Sequence, residues 1–205
     1  MIDVATLRDD CALMVHDPAY SEITKPQWLI FMRSAAADAR NAGWLIRSED
    51  DESITVTATA YDYTVPQPFA YIQTLILSET VNGVVNYIEE IPRSHWDIRL
   101  NGGVPTISFD TISSLVSGRT IKVIGQKRPT TYTSADEPVD AGMDSFLRER
   151  AMYFAFRYMG AGSSELAAFR RQMAQQCWQT SEMFLHRHPQ EFRAAPSSVE
   201  VPGRG

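Results

Sequence analysis

The sequence predicts an α+β fold: a helical bundle made of N-terminal helices and a C-terminal helical hairpin, with an antiparallel β-meander or sandwich module inserted between them. Three observations carry this reading. Apolar residues recur at helical spacing up to Gly43, alternate strictly from about Ile54, and return to helical spacing from Met143. The alternating segments are separated by short turns such as "TVNG", "NGG" and "VSGR", whereas parallel neighbours need long crossovers. At 205 residues the chain can bury about 70% of its unfolded surface without disulfide staples. The predicted organisation is residues 1–43 and 139–188 as the helical bundle, 44–138 as the β domain and 189–205 as an extended C-terminal tail.

Each element has a local reason. Val4, Leu7, Cys11 and Met14 or Val15 mark a short first helix, broken by "HDPAY". In "TKPQWLIFMRSAAADARNAG", Thr24 is placed to cap a second helix, Pro26 suits its first turn and Gly43 stops it. Its apolar stripe is Trp28, Phe31, Met32, Ala35, Ala36 and Ala39. Ile54, Val56, Ala58 and Ala60 then alternate with Thr55, Thr57, Thr59 and Tyr61, the period of a half-buried strand. Further strands are expected near 69–78, 84–91, 95–100, 104–109 and 120–125. Met143, Phe146, Leu147, Arg150, Ala151, Phe154 and Tyr158 form the next helical stripe. After "GAGSS", Ser163 or Ser164 caps a last helix with Leu166, Phe169, Met173, Cys177, Thr180 and Phe184 on one side. The three prolines of "PQEFRAAPSSVEVPGRG" and its lack of periodicity predict a tail ordered only on a partner.

Charge and cysteine usage narrow the function. With 19 basic residues scattered among 25 acidic ones, a net charge of -6 and a pI of 5.2, the chain lacks the basic face that grips phosphates. Cys11 and Cys177 share no metal spacing and read as core thiols of a reducing compartment. The N-terminus is acidic where a secretory signal is basic, and no apolar run approaches the ~20 residues that span a bilayer. Synthesis in a cytoplasm, with no membrane partner, is expected.

The search for chemistry assigns no catalytic, cofactor-binding or metal-binding residue, and an enzyme is not expected. "GAGSS" lies between helices rather than after a strand, so it does not cradle a phosphate. His186 and His188 are two apart on a helix and point to different faces. "EDDE" (49–52) lacks calcium-loop spacing and reads, like Glu89 with Glu90, as a solvated turn or surface. The tryptophans 28, 44, 96 and 178 and the tyrosines 61, 63, 71 and 87 fall mostly at core or subunit-contact positions. In "HWDIRLNGG", His95, Asp97 and Arg99 share one strand face and Trp96, Ile98 and Leu100 the other, so a hairpin accounts for a pair that otherwise resembles a His-Asp dyad. A hydrolase using His95 and Asp97 is the enzymatic alternative. In the tail, Phe192, Val199 and Val201 are the candidate anchors for a partner's pockets, and Arg193 the candidate partner of an acid.

The order of features carries a resemblance. A helical start with a Pro-Trp entry, Tyr63-x-x-Pro66, "HWDI", "PTISFD", "SGRTIKVIG" and a paired-helix end resemble the head-to-tail adaptor (neck or connector) proteins of tailed bacteriophages, over residues 20–186. The resemblance implies a virion structural protein forming a homo-oligomeric, dodecameric ring between the portal protein and tail or neck proteins, with DNA passing through the lumen without sequence-specific binding. It carries over no catalytic residue and no cofactor. An acidic lumen would let phosphates slide past, in keeping with the net charge. The alternatives are a carbohydrate-binding module and another tail or neck module such as a tail-completion protein.

Overall fold

The computed structural model describes residues 2–57, 60–66, 69–110, 115–191 and 199–202, with backbone only at 50–53 and 188–191. The chain is α+β and divides into two compact units. One comprises the residues up to Ile46 with Pro129–Glu191; the other comprises Arg47–Arg128 with the described C-terminal residues.

The helical unit contains α1 (Val4–Met14), α2 (Lys25–Asn41), α3 (Asp144–Met159) and α4 (Glu165–Glu191). Its starts and stops follow capping chemistry. The Asp3 carboxylate accepts from the Thr6 amide at 2.7 Å, and the Thr24 amide donates to Gln27 Oε1 at 3.3 Å. Gly43, with φ +80°, turns the chain out of α2. α3 packs on α1, α2 and α4. Leu7, Trp28, Met32, Ala35, Ala39, Phe146, Leu147 and Ala155 form one buried cluster. Trp44, Ile46 and Tyr132 join it, so this unit extends beyond the boundaries at 43 and 139 expected from periodicity. The segment before α3 is held by hydrogen bonds rather than by a helical stripe. Val4 N donates to Glu137 O at 3.0 Å and Val139 N to Ile2 O at 2.9 Å. Buried Asp140 accepts from Thr130 N at 2.6 Å and from Tyr132 Oη at 3.3 Å.

α4 departs from expectation in two ways. It runs through Pro189 to Glu191 rather than ending at His188. Its buried face is Ala167, Ala174, Cys177, Ser181 and Leu185; of the predicted stripe, Cys177 is buried and Met173 and Phe184 pack against the core, whereas Leu166 and Phe169 are 56% and 55% exposed. Small side chains let α4 lie close to its neighbour. A Cβ built on Gly160, at the turn, would come within 2.8 Å of Phe156 O and 3.6 Å of Ala167 O. The large apolar residues are left on a flanking face.

The β unit has two antiparallel sheets: β1 (Ile46–Thr55), β7 (Thr120–Lys127), β3 (Phe69–Val81) and β4 (Val84–Ile91) in that order, and β2 (Asp62–Thr64), β6 (Val104–Phe109) and β5 (Trp96–Asn101) in that order. The hairpins β3–β4 and β5–β6 turn at Asn82-Gly83 and Gly102-Gly103, all four with positive φ, as tight hairpins require. The rest is not a simple meander. β7 inserts between β1 and β3, and β2 pairs with β6. Phe69, Leu75, Leu77, Trp96, Ile107, Ile121 and Val123, drawn from both sheets, share one core, so the module is a sandwich.

Two stretches read as loop or tail are strands. "EDDE" lies inside β1, where Glu49 pairs with Lys122 at 2.9 Å and Arg47 at 2.6 Å. Sheet pairing with β7 overrides the poor strand propensity of acidic residues. Ala58, part of the predicted alternation there, lies outside the described residues. The C-terminal segment is the second case. β4 covers β3 only from Leu75 to Val81, and β8 (Val199–Glu200) pairs with the uncovered Tyr71 and Ile72. Val201 N donates to Ala70 O at 2.6 Å and its side chain is 2% exposed. This part of the tail is ordered by its own sheet, not by a partner.

Removing residues 199–205 is therefore expected to lower the melting temperature of the purified protein. Burying a valine contributes about 1.5–3 kcal/mol, and the two β8 pairings are lost as well. Thermal unfolding followed by circular dichroism checks this; an unchanged midpoint would contradict the packing of Val201.

Candidate functional site

Three places merit the test of geometry: the stretch around His95, the buried polar cluster of the helical unit, and the surfaces that expose large apolar side chains.

At the first, Arg93–His95 forms a single 3-10 turn, so His95 precedes β5 instead of sharing its face with Asp97 and Arg99 as the alternation implied. Trp96 enters the sandwich core, with Nε1 donating to Ile91 O at 3.3 Å and the Arg93 guanidinium 4.1 Å from its ring centroid. The Asp97 carboxylate accepts from Ile98 N at 2.8 Å and lies 3.4 Å from Arg93 Nη2 and 3.7 Å from Arg99 Nε. The backbone bond, and then Arg93 and Arg99, hold its pKa below the usual carboxylate value against a small desolvation penalty. Among the described residues no hydrogen bond joins His95 to Asp97. This is a turn and a hairpin, not a dyad.

Arg150 of α3 centres the second place and is 1% exposed. Its Nη2 pairs with Glu182 of α4, its Nε lies 3.6 Å from Asp38 of α2, and its Cζ sits 4.0 Å from the Trp178 ring centroid. Nε and Nη1 make no hydrogen bond among the described residues. Desolvation raises the Asp38 pKa, Arg150 works against that rise, and Glu182 adds to it. Three helices are joined through one guanidinium, which suits packing rather than turnover. Cys11 and Cys177 are buried free thiols, each pushed up to about 12 chiefly by desolvation, so neither is an activated nucleophile. No three His, Cys, Asp or Glu side chains converge as a metal cage among the described residues. His186 lies on an exposed turn of α4, 4.0 Å from Glu182.

The residues expected to bind a partner are not brought together as a free anchor. Val199 and Val201 pack into the sandwich core, and Phe192 and Arg193 lie outside the described residues. What the periodicity did not separate is the third place. The tip of the β3–β4 hairpin exposes Val81, Val84, Val85, Tyr87 and Ile88, with Ile88 the extra residue of a bulge opposite Leu77 and Ser78. The loop end of the α3–α4 pair exposes Tyr158, Leu166 and Phe169. Scattered apolar residues on a surface need no explanation, but these are grouped on one β hairpin and one helical hairpin. The signal was present in β4, where apolar residues fall on both strand faces, and in α4, which carries a small-residue stripe beside a large one. Of the tryptophans, Trp28, Trp44 and Trp96 are core, and Trp178 is partly exposed over Arg150.

Neither the protein-family models nor the sequences of curated proteins give a match to this chain. Among the described residues no helix is long and apolar enough to cross a membrane.

His95→Ala is expected to change stability by less than about 0.5 kcal/mol, the range typical of surface substitutions. Trp96→Ala is expected to cost roughly 3–5 kcal/mol, as for a buried aromatic. Urea unfolding of the two variants checks the contrast; equal losses would mean that His95 is structurally engaged.

Proposed function

We propose that this chain is a structural protein of a tailed-phage virion, assembling into a homo-oligomeric ring that joins the portal to the tail and leaves a passage for DNA. The observation that carries the reading is the pair of clustered apolar surfaces described above. One lies on a β hairpin and the other on a helical hairpin, in a chain whose polar clusters serve packing. Two different surfaces on one protomer suit a heterologous contact, the kind that closes into rings. The α+β organisation, with a β sandwich inserted between helices, agrees with what the adaptor resemblance implies. The net charge of -6 suits a lumen that DNA traverses without being held. The dodecameric state, the portal and tail partners and the virion location rest on the resemblance alone.

The test is assembly. Electron micrographs of the purified protein, alone at rising concentration and mixed with the portal protein of the same phage, are expected to show a closed ring with a central opening, or a portal ring extended by an added layer. Protein that stays monomeric under both conditions contradicts the reading. A glycan-dependent shift of the monomer would favour the carbohydrate-binding alternative.

A further inference from the structure

We propose that the two apolar surfaces are the two halves of one contact: the tip of the β3–β4 hairpin of one copy seats on the loop end of the α3–α4 pair of a second copy. This rests on the oligomeric reading above and names the surface through which copies meet.

Charge selects the occupant. Glu89 and Glu90 stand exposed on β4 toward the base of the hairpin, opposite Leu77 and Ile76, with no cation at ion-pair distance among the described residues. Lys122, which donates to Tyr87 Oη at 3.2 Å, is paired with Glu49. At the helical end the balance is reversed. Arg157 donates to Tyr153 Oη at 2.9 Å, and Arg171 donates to the carbonyls of Gly160 and Gly162 at 3.1 and 2.7 Å. Neither has a carboxylate at ion-pair distance among the described residues. Arg170 spends its charge on Glu22 at 2.6 Å, and Glu165 is the acid of the first α4 turn. Setting aside the charges already paired, among them Lys122 with Glu49 and Arg119 with Glu79, the hairpin offers carboxylates and the helical end offers guanidinium groups on the same sequence. Two hairpins would meet acid to acid, and two helical ends base to base. Only the unlike pairing matches both signs while burying both apolar groups, which is what orients a heterologous contact. The partner is accordingly a second copy of this chain.

Each contact residue substituted in the test is exposed in the protomer, so the variants test association rather than folding. Val85→Cys and Phe169→Cys are prepared separately; the native Cys11 and Cys177 are buried and stay silent to a mild oxidant. Under the condition that gives assembly, with or without the portal protein, the mixture is expected to form a disulfide-linked dimer that neither variant forms alone. Replacing Glu89 and Glu90 together by Lys is expected to weaken self-association about tenfold, and adding Arg157→Glu to recover part of that loss. Crosslinking of Val85→Cys to itself would overturn the inference in favour of a hairpin-to-hairpin contact. Rings that form without the mixed crosslink, and with undiminished assembly of the Glu89 and Glu90 variant, would overturn it while leaving the ring reading in place. The mixed crosslink in a species that never closes would uphold the contact and remove the ring. No crosslink and no assembly under either condition would overturn both.

Discussion

The arrangement of the helical unit depends on one buried charge. Arg150 is held between Glu182 of α4 and Asp38 of α2 and lies against the Trp178 ring. A guanidinium removed from water costs several kcal/mol unless it keeps its partners, so rotations of α4 that carry Glu182 away are penalised. The ion cluster and the small-residue stripe of α4 thereby specify the same orientation. Ala167, Ala174 and Ser181 face inward, and Leu166 and Phe169 face out. The exposed apolar surface is a consequence of that choice and not an accident of composition.

The β unit follows a comparable logic with different means. β3 is the longest strand and is flanked on one side by β7 along most of its length. On its other side β4 and β8 divide the edge between them. A short β8 whose following residue is buried completes the sandwich and leaves the hairpin tip uncovered. In both units the core is finished by elements from the far end of the chain.

How much of this was legible in the sequence depends on which physical signal each element uses. α2 could be read closely, because its cap, its first-turn proline, its stripe and its terminal glycine all agree. The hairpin turns were equally plain, since Asn-Gly and Gly-Gly tolerate positive φ. The start of β1 was hidden because its acidic residues disfavour strands in isolation and are held there by pairing and by Lys122. The segment 129–138 belongs to the helical unit, and periodicity does not show it because its place is set by hydrogen bonds to Asp140 and the N-terminus, which have no period. In α4 the predicted stripe holds at Met173, Cys177 and Phe184, but in the first turns close packing favours Ala167 and leaves Leu166 and Phe169 outside. The tail failed for a related reason: a two-residue strand and one buried valine are too short to show alternation. The alternation placed His95 on a strand face with Asp97, but Arg93–His95 forms a 3-10 turn before β5.

The central claim is that Leu166 and Phe169 of α4 stand outside the core of their own protomer while Ala167, Ala174, Cys177, Ser181 and Leu185 face inward. The stability of Phe169→Ala in dilute solution, measured by urea unfolding, tests it most directly. If the claim holds, the free energy of unfolding changes by no more than about 0.5 kcal/mol, as for a surface position. A loss of roughly 3–5 kcal/mol, the cost of truncating a core phenylalanine, would show that Phe169 is buried within its own protomer and would contradict the account.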